Sequence, residues 1–313
     1  MIHVENLVKR YGDLLAVDDV GFRVSPGEIY GLLGPNGAGK TTTLSMMAGL
    51  LAPDSGRIRY GDLDVAENPR QVKAILGVVP QETALYEDLS AREHLRLWGG
   101  LYGLSGSDLD AAVDRALGQV GLEGRADEGS KRFSGGMKRR LNLALGLVHS
   151  PKAILLDEPT VGIDPQARLN ILDVVREVAD AGTAVLYTTH YLEEAEQLCD
   201  RIGVVDHGKM LAEGSLEELQ KRVGGRELVS LRGSFGSDGD EGLADRLADE
   251  GLRVLVREPD RLVVTTRGGE GERGSVELLS RLFADGVELD GINIEPPSLN
   301  SLFLELTGRE LRD

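Results

Sequence analysis

The stretch Gly34-Pro-Asn-Gly-Ala-Gly-Lys-Thr41 sets three glycines, a lysine and a hydroxyl at the spacing G-x-x-x-x-G-K-[ST]. Glycines at 34, 37 and 39 let successive backbone N–H groups turn inward around an anion. Lys40 reaches the outer phosphate oxygens, and the Thr41 hydroxyl is a hard oxygen ligand for Mg2+. Further on, the apolar run Ala153-Ile-Leu-Leu delivers Asp157 and Glu158. Asp157 suits a hard cation and Glu158 a general base acting on water. An acidic pair is also an ordinary solvated strand end; downstream of a phosphate loop it has a reaction to serve. Ser134, Gly135 and Gly136, in Phe133-Ser-Gly-Gly-Met137, precede Leu141, Ala144, Leu145 and Val148 at helical spacing. That segment reads either as a serine N-cap with a flexible lead-in or as an anion site at a helix start. His190 closes the run Ala184-Val-Leu-Tyr-Thr-Thr.

These groups need elements to hold them. Ile29-Tyr-Gly-Leu-Leu33 predicts a buried strand before the loop, and residues 42–49 predict a helix after it. The runs ending at Asp157 and before His190 predict two more buried strands. All three would present their chemistry at C-terminal strand ends, where open α/β sheets bind ligands. Residues 1–28 alternate in strand fashion (Val20, Phe22, Val24), predicting an antiparallel sheet beside the loop. After Gln81 the pattern turns helical. Ser90-Ala-Arg-Glu93 is a capping box, and Ser107 opens a second helix with Leu109, Val113, Ala116, Leu117 and Val120 on one face. Trp98 and Tyr102, four apart, are either core or part of a docking groove. Asp164 before Pro165 is a helix N-cap with proline at the first position.

The order of phosphate loop, Gln81, Ser134-Gly-Gly, Asp157-Glu158 and His190 resembles the nucleotide-binding subunit of ABC transporters, over residues 2–219. The resemblance implies a P-loop α/β core with an antiparallel β subdomain and a helical subdomain, and binding of ATP with Mg2+. It implies ATP contacts from Tyr11, stacking on adenine, and from Gly34, Pro35, Asn36, Gly37, Ala38, Gly39, Lys40, Thr41 and Thr42. Thr41, Gln81 and Asp157 would hold Mg2+, while Glu158, His190, Gln81 and Lys40 would carry hydrolysis. Ser134, Gly135 and Gly136 would contact the γ-phosphate bound to the opposite subunit, with Asp164 in the loop linking the two sites. A working pair of sites then needs a homodimer or a close paralogue. A separately encoded integral membrane permease would be the second partner, placing the chain in the cytoplasm on the inner face of the membrane. The familiar signature Leu-Ser-Gly-Gly-Gln is here Phe-Ser-Gly-Gly-Met followed by Lys-Arg-Arg. This is similar to the branch that exports drugs, antibiotics and lipids. The rival readings are a soluble ABC ATPase acting on ribosomes or DNA, and a regulatory protein that binds nucleotide without turnover.

The divide is expected between residues 1–222, with a helical subdomain over 82–150, and residues 224–313. Ser215-Leu-Glu-Glu218 caps a short helix before it. The second part reads strand (227–233), helix (239–250), strand (252–257), strand (261–266), helix (275–285), strand (288–295), a β-α-β-β-α-β order that is ferredoxin-like. Ser298 opens a last helix with Leu299, Leu302, Phe303 and Leu306 on one stripe. Glycine-rich loops fall at 233–242 and 268–274. The part reads as an accessory domain for dimerisation or sensing, or as a passive extension.

With 313 residues, 41% hydrophobic, the chain has material for two cores. No stretch reaches the ~18 apolar residues of a membrane span, and residues 1–10 read as a strand rather than a secretory leader. A net charge of −17 argues against nucleic acid as a partner and against adhesion to an anionic bilayer. The one cysteine, Cys199, rules out an internal disulfide and reads as buried filler on a helix after His190.

Overall fold

The computed structural model describes residues 1–222, 226–233, 235, 247, 252–266 and 274–308. The chain divides into two compact units, Met1–Glu213 and Gly214–Asp313.

In the first unit, β1 (Ile2–Tyr11) and β2 (Leu14–Val24) form a hairpin, followed by β3 (Ile29–Leu33) and α1 (Lys40–Met47). Next come β4 (Ser55–Tyr60), β5 (Leu63–Asp64), α2 (Pro69–Ile75) and β6 (Leu76–Val79). Three helices intervene, α3 (Ala91–Leu101), α4 (Gly106–Gln119) and α5 (Gly135–Leu147), before β7 (Ala153–Asp157). The unit closes with α6 (Pro165–Asp180), β8 (Ala184–Thr189), α7 (Leu192–Leu198), β9 (Arg201–Asp206) and β10 (Lys209–Gly214).

Two sheets result. The antiparallel one runs β2-β1-β4-β5, as the alternation over residues 1–28 predicts. The other runs β10-β9-β3-β8-β7-β6, and its strands from β9 through β6 are parallel. β3, β7 and β8 are buried along their whole length. Continuous apolar runs suit that setting, because a parallel sheet is covered on both faces. The main core lies between the two sheets, with Ile2, Leu7, Phe22 and Val24 against Leu32, Met46, Leu155 and Leu186. Phe22 stacks on Tyr30 with centroids 4.7 Å apart.

The α3 capping box forms as predicted: Glu93 N–H donates to Ser90 Oγ, and Ser90 N–H donates to Glu93. Two helix starts differ from expectation. α1 begins at Lys40 rather than Thr42, because Thr43 N–H already bonds Gly39 O at 2.9 Å. α4 begins at Gly106, after Ser105, rather than at Ser107. Gly106 at φ +57° turns the chain early enough for Leu109 N–H to reach Ser105 O. Neither Trp98 nor Tyr102 belongs to the core. Tyr102 is 37% exposed and lies flat on His149, centroids 3.6 Å apart, while Trp98 is half-buried near Tyr86 and His94.

The second unit holds α8 (Leu216–Arg222), β11 (Leu228–Gly233), β12 (Arg253–Glu258), β13 (Arg261–Thr265), α9 (Gly274–Ala284), β14 (Leu289–Glu295) and α10 (Leu299–Thr307). Ser215 and Glu218 cap α8 reciprocally, and Ser298 caps α10. α8 thus belongs with the second unit, whereas the sequence placed it with the first. The sheet runs β12-β13-β11-β14 with every pair antiparallel. Alternate residues serve two cores, Val229, Leu231, Leu262, Val264, Leu278 and Leu282 on one face and Leu228, Val263 and Leu304 on the other. The helix expected over 239–250, which a ferredoxin-like arrangement also requires, lies outside the described residues except for buried Leu247, as do most of the two glycine-rich segments. Among the described residues no helix is long and apolar enough to cross a membrane.

Candidate active site

Parallel pairing of β3, β8 and β7 brings three C-terminal strand ends side by side, with Leu33 opposite Thr189 and Asp157 opposite Thr188. The phosphate loop, His190 and the acidic pair therefore meet, although far apart in sequence. Beyond β3 the loop curls through Gly39 at φ +100°, where a Cβ would fall 2.5 Å from Ala16 O. Only glycine fits so close to that carbonyl. Lys40 is 4% exposed and donates to Gly34 O at 2.6 Å and Pro35 O at 3.0 Å. Its ammonium also pairs with Glu158, Nζ to Oε1 3.0 Å.

Glu158 is the meeting point. Gln81 Nε2 donates to its Oε2 at 3.3 Å, and His190 Nδ1 approaches Oε2 to 3.2 Å without hydrogen-bonding alignment. Glu158 sits at φ +44°, the left-handed region that a non-glycine residue holds only when its surroundings impose it. Here its N–H donates to Thr188 Oγ1 at 3.0 Å, and its carbonyl accepts from Val161 N–H and from Arg139 Nη2. Asp157 is buried and accepts from Thr188 Oγ1 at 2.7 Å, leaving its second oxygen outside that bond.

A cavity of about 540 Å³ opens on this cluster. Lys40, Thr41, Thr42, Gln81 and Glu158 line it together with Tyr11, Leu14, Ala16 and His207, while Asp157 and His190 lie outside its lining. Asn36, Gly37 and Gly39 join them, whereas Gly34 and Ala38, buried, and Pro35, half-buried, are outside the lining. Tyr11 is 49% exposed, open to a flat partner. Ser134, Gly135, Gly136 and Asp164 do not line the cavity. Ser134 caps α5 by accepting from Met137 N–H, and Asp164 caps α6 by accepting from Ala167 N–H. The two helix starts are neighbours, since a Cβ on Gly136 would meet that of Ala167 at 2.7 Å.

Sequence reasoning missed several supporting groups. Arg139, buried on α5, bonds the carbonyls of Pro80, Gln81, Glu158 and Pro159. Burial lowers its pKa from the ordinary value, opposed by the nearby Asp157 and Glu158 carboxylates. Buried Glu194 accepts from the hydroxyls of Thr160 (2.6 Å), Tyr187 (2.9 Å) and Thr189 (2.8 Å), tying the loop after Glu158 to the strand end before His190. Burial and that carboxylate push the Tyr187 phenol well above its usual range, so it remains a donor. Arg139 lies off the Leu141, Ala144, Leu145 and Val148 stripe, so the helical period carried no signal for it; Glu194, four residues before buried Leu198 on α7, was the one such polar position the period could have marked.

A phosphate loop after β3, an acidic pair after β7 and a histidine after β8 define a P-loop nucleoside triphosphatase with added β and helical segments. A family model described as ABC transporter matches residues 17–161. The linearmycin resistance ATP-binding protein LnrL of Bacillus subtilis (strain 168) is 42% identical over 313 residues, covering 100% of both chains. The Nod factor export ATP-binding protein I of Cupriavidus metallidurans is 39% identical, covering 100% of this chain and 99% of its own. A solved structure of an ATP-binding subunit of an ABC transporter superposes with a TM-score of 0.66 at 32% identity, over 72% of this chain and 93% of that one. The chain belongs to the ABC transporter family of ATP-binding proteins, and is an ABC ATPase.

Proposed function

We propose that this chain is the ATP-hydrolysing subunit of an exporter, working as a homodimer or with a close paralogue beneath a separately encoded membrane permease. The convergence of Lys40, Gln81 and His190 on the Glu158 carboxylate carries the reading. A triphosphate in the cavity competes with Glu158 for the Lys40 ammonium. The freed carboxylate then takes a proton from the attacking water while Lys40 and the loop amides hold the transferring phosphoryl oxygens. Gln81 and His190 orient the carboxylate and the γ-phosphate, and Tyr11 stacks on adenine.

The residues fit Mg2+. Asp157 keeps one carboxylate oxygen outside its bond to Thr188, and Thr41 lines the cavity with a hydroxyl, the hard oxygen donors that such a cation takes beside phosphates and water. Thr41, Gln81 and Asp157 would hold it, and it would neutralise charge on the β- and γ-phosphates.

Placement of Ser134 and Asp164 outside the cavity supports a second chain. Charge spread over several phosphoryl oxygens calls for donors on more than one side, and the α5 N-terminus of another copy supplies them. The resistance and export names of the two full-length relatives support export. The helical segment over 82–150 is the surface we assign to the permease, and residues 224–313 to dimer support or sensing. The test is recovery of the tagged chain from detergent-solubilised native membranes, with ATPase followed alongside. A multi-helix membrane protein recovered with it, and turnover abolished by Lys40→Ala, are expected. Ribosomal or DNA-bound partners with intact ATPase would overturn the transport reading.

A further inference from the structure

We propose that Arg139 is a positioning residue for hydrolysis, holding the backbone at Gln81 and Glu158 of its own chain from the helix that begins at the Ser134 loop. The inference rests on the two-chain reading above and deepens it.

A guanidinium carries five N–H donors in a rigid plane. In Arg139, Nε donates to Pro159 O at 2.5 Å, Nη1 to Pro80 O at 3.2 Å and to Gln81 O, and Nη2 to Glu158 O. One side chain thus bridges the end of β6 and the loop after β7. Asn142, one turn further along α5, adds a bond from Nδ2 to Pro80 O at 3.3 Å. The bridged peptides are those from which Gln81 and Glu158 project, and the two side chains meet at 3.3 Å. Glu158 also depends on outside bonds for its left-handed backbone, and Arg139 supplies one of them.

Position on α5 adds a second consequence. Arg139 lies five residues from Ser134, about 7–8 Å along a rigid helix. The start of that helix is wedged against α6, with Gly136 on Ala167. A push on the Ser134 loop by a partner's nucleotide therefore reaches the carbonyls that set Gln81 and Glu158. Arg139 is buried, so it acts through those residues rather than on ATP.

The test uses the full-length chain. Arg139→Lys keeps the charge but gathers three donors on one nitrogen, which cannot span four carbonyls. We expect kcat to fall at least about tenfold with KM for ATP within about twofold, since the phosphate loop is untouched. A rise in KM matching any fall in kcat, or no change in either, overturns the proposal. A fall in kcat that tracks a lowered unfolding midpoint also overturns it, as a packing effect. Mixed dimers then locate the action. With Lys40→Ala in one chain, the surviving site takes Lys40, Gln81 and Glu158 from the other. Arg139→Lys should depress turnover when placed on the chain with intact Lys40, and leave the Lys40→Ala mixed level unchanged when placed on the Lys40→Ala chain. The reverse pattern would mean that Arg139 serves the Ser134 loop instead, and overturns the assignment. If mixing with chains that carry both Lys40→Ala and Ser134→Arg, which leaves no complete site in a mixed dimer, does not lower turnover per intact chain, the two-chain reading fails, and the kcat and KM comparison still decides for or against Arg139.

Discussion

Glu158→Gln removes one charge and almost no volume from the carboxylate on which Lys40, Gln81 and His190 converge. Two effects follow and can be sized separately. Loss of a general base costs ~10²–10⁴ in rate, or roughly 3–5 kcal/mol of barrier. The second effect is on binding. At 3.0 Å the Lys40–Glu158 pair has a gross attraction of about 5 kcal/mol at an effective dielectric near 20. Desolvation of two buried ions offsets most of it, leaving on the order of 1–2 kcal/mol that ATP must overcome to claim the ammonium, about tenfold in affinity. Lys40 retains Gly34 O and Pro35 O as acceptors, so the loop should keep its shape. The variant should therefore hydrolyse at least a hundredfold more slowly, bind ATP more tightly and run as a dimer with ATP on gel filtration. Single-turnover hydrolysis and equilibrium dialysis measure the first two. Turnover above a tenth of wild type, or weaker ATP binding, would refute the argument that Glu158 is both base and competitor for Lys40.

Gly31→Ala would place a Cβ 2.6 Å from Cys199 Sγ in a strand paired on both sides. Overpacking of that kind costs ~1–3 kcal/mol, so the urea midpoint should fall and Cys199→Ala should recover part of the loss; strictly additive effects would show that the two do not touch. Burial lowers the His149 imidazole from 6.5 to about 4. The unfolded chain then binds the proton first, so this contribution is full above pH 6.5 and is lost as pH falls through about 4. His149→Gln should flatten that part of the midpoint-against-pH curve, and an unchanged slope would remove His149 as the cause.

Much was legible in the sequence because the chemistry is local. The G-x-x-x-x-G-K-[ST] spacing, the Ser90–Glu93, Asp164 and Ser298 caps, and the buried runs of β3, β7 and β8 each depend on residues within one turn or one strand of each other. Backbone hydrogen bonding and side-chain period act at that range. The start of α4 at Gly106 was missed because a left-handed glycine, not a serine, turned the chain there.

Tertiary structure alone decided the rest. The sequence shows three strands with polar ends; parallel pairing makes β8 the neighbour of both β3 and β7, and only then do Lys40, Glu158 and His190 meet. No periodicity marks Cys199 as the atom that forces glycine at 31, or α8 as a member of the second unit. Arg139 is the clearest case. In sequence it is one of three successive cations, and it becomes a bridge because burial on α5 strips its water and leaves backbone carbonyls of two distant loops as its acceptors. A buried donor must find partners wherever packing puts them, so packing, which joins residues remote along the chain, settled what that arginine does.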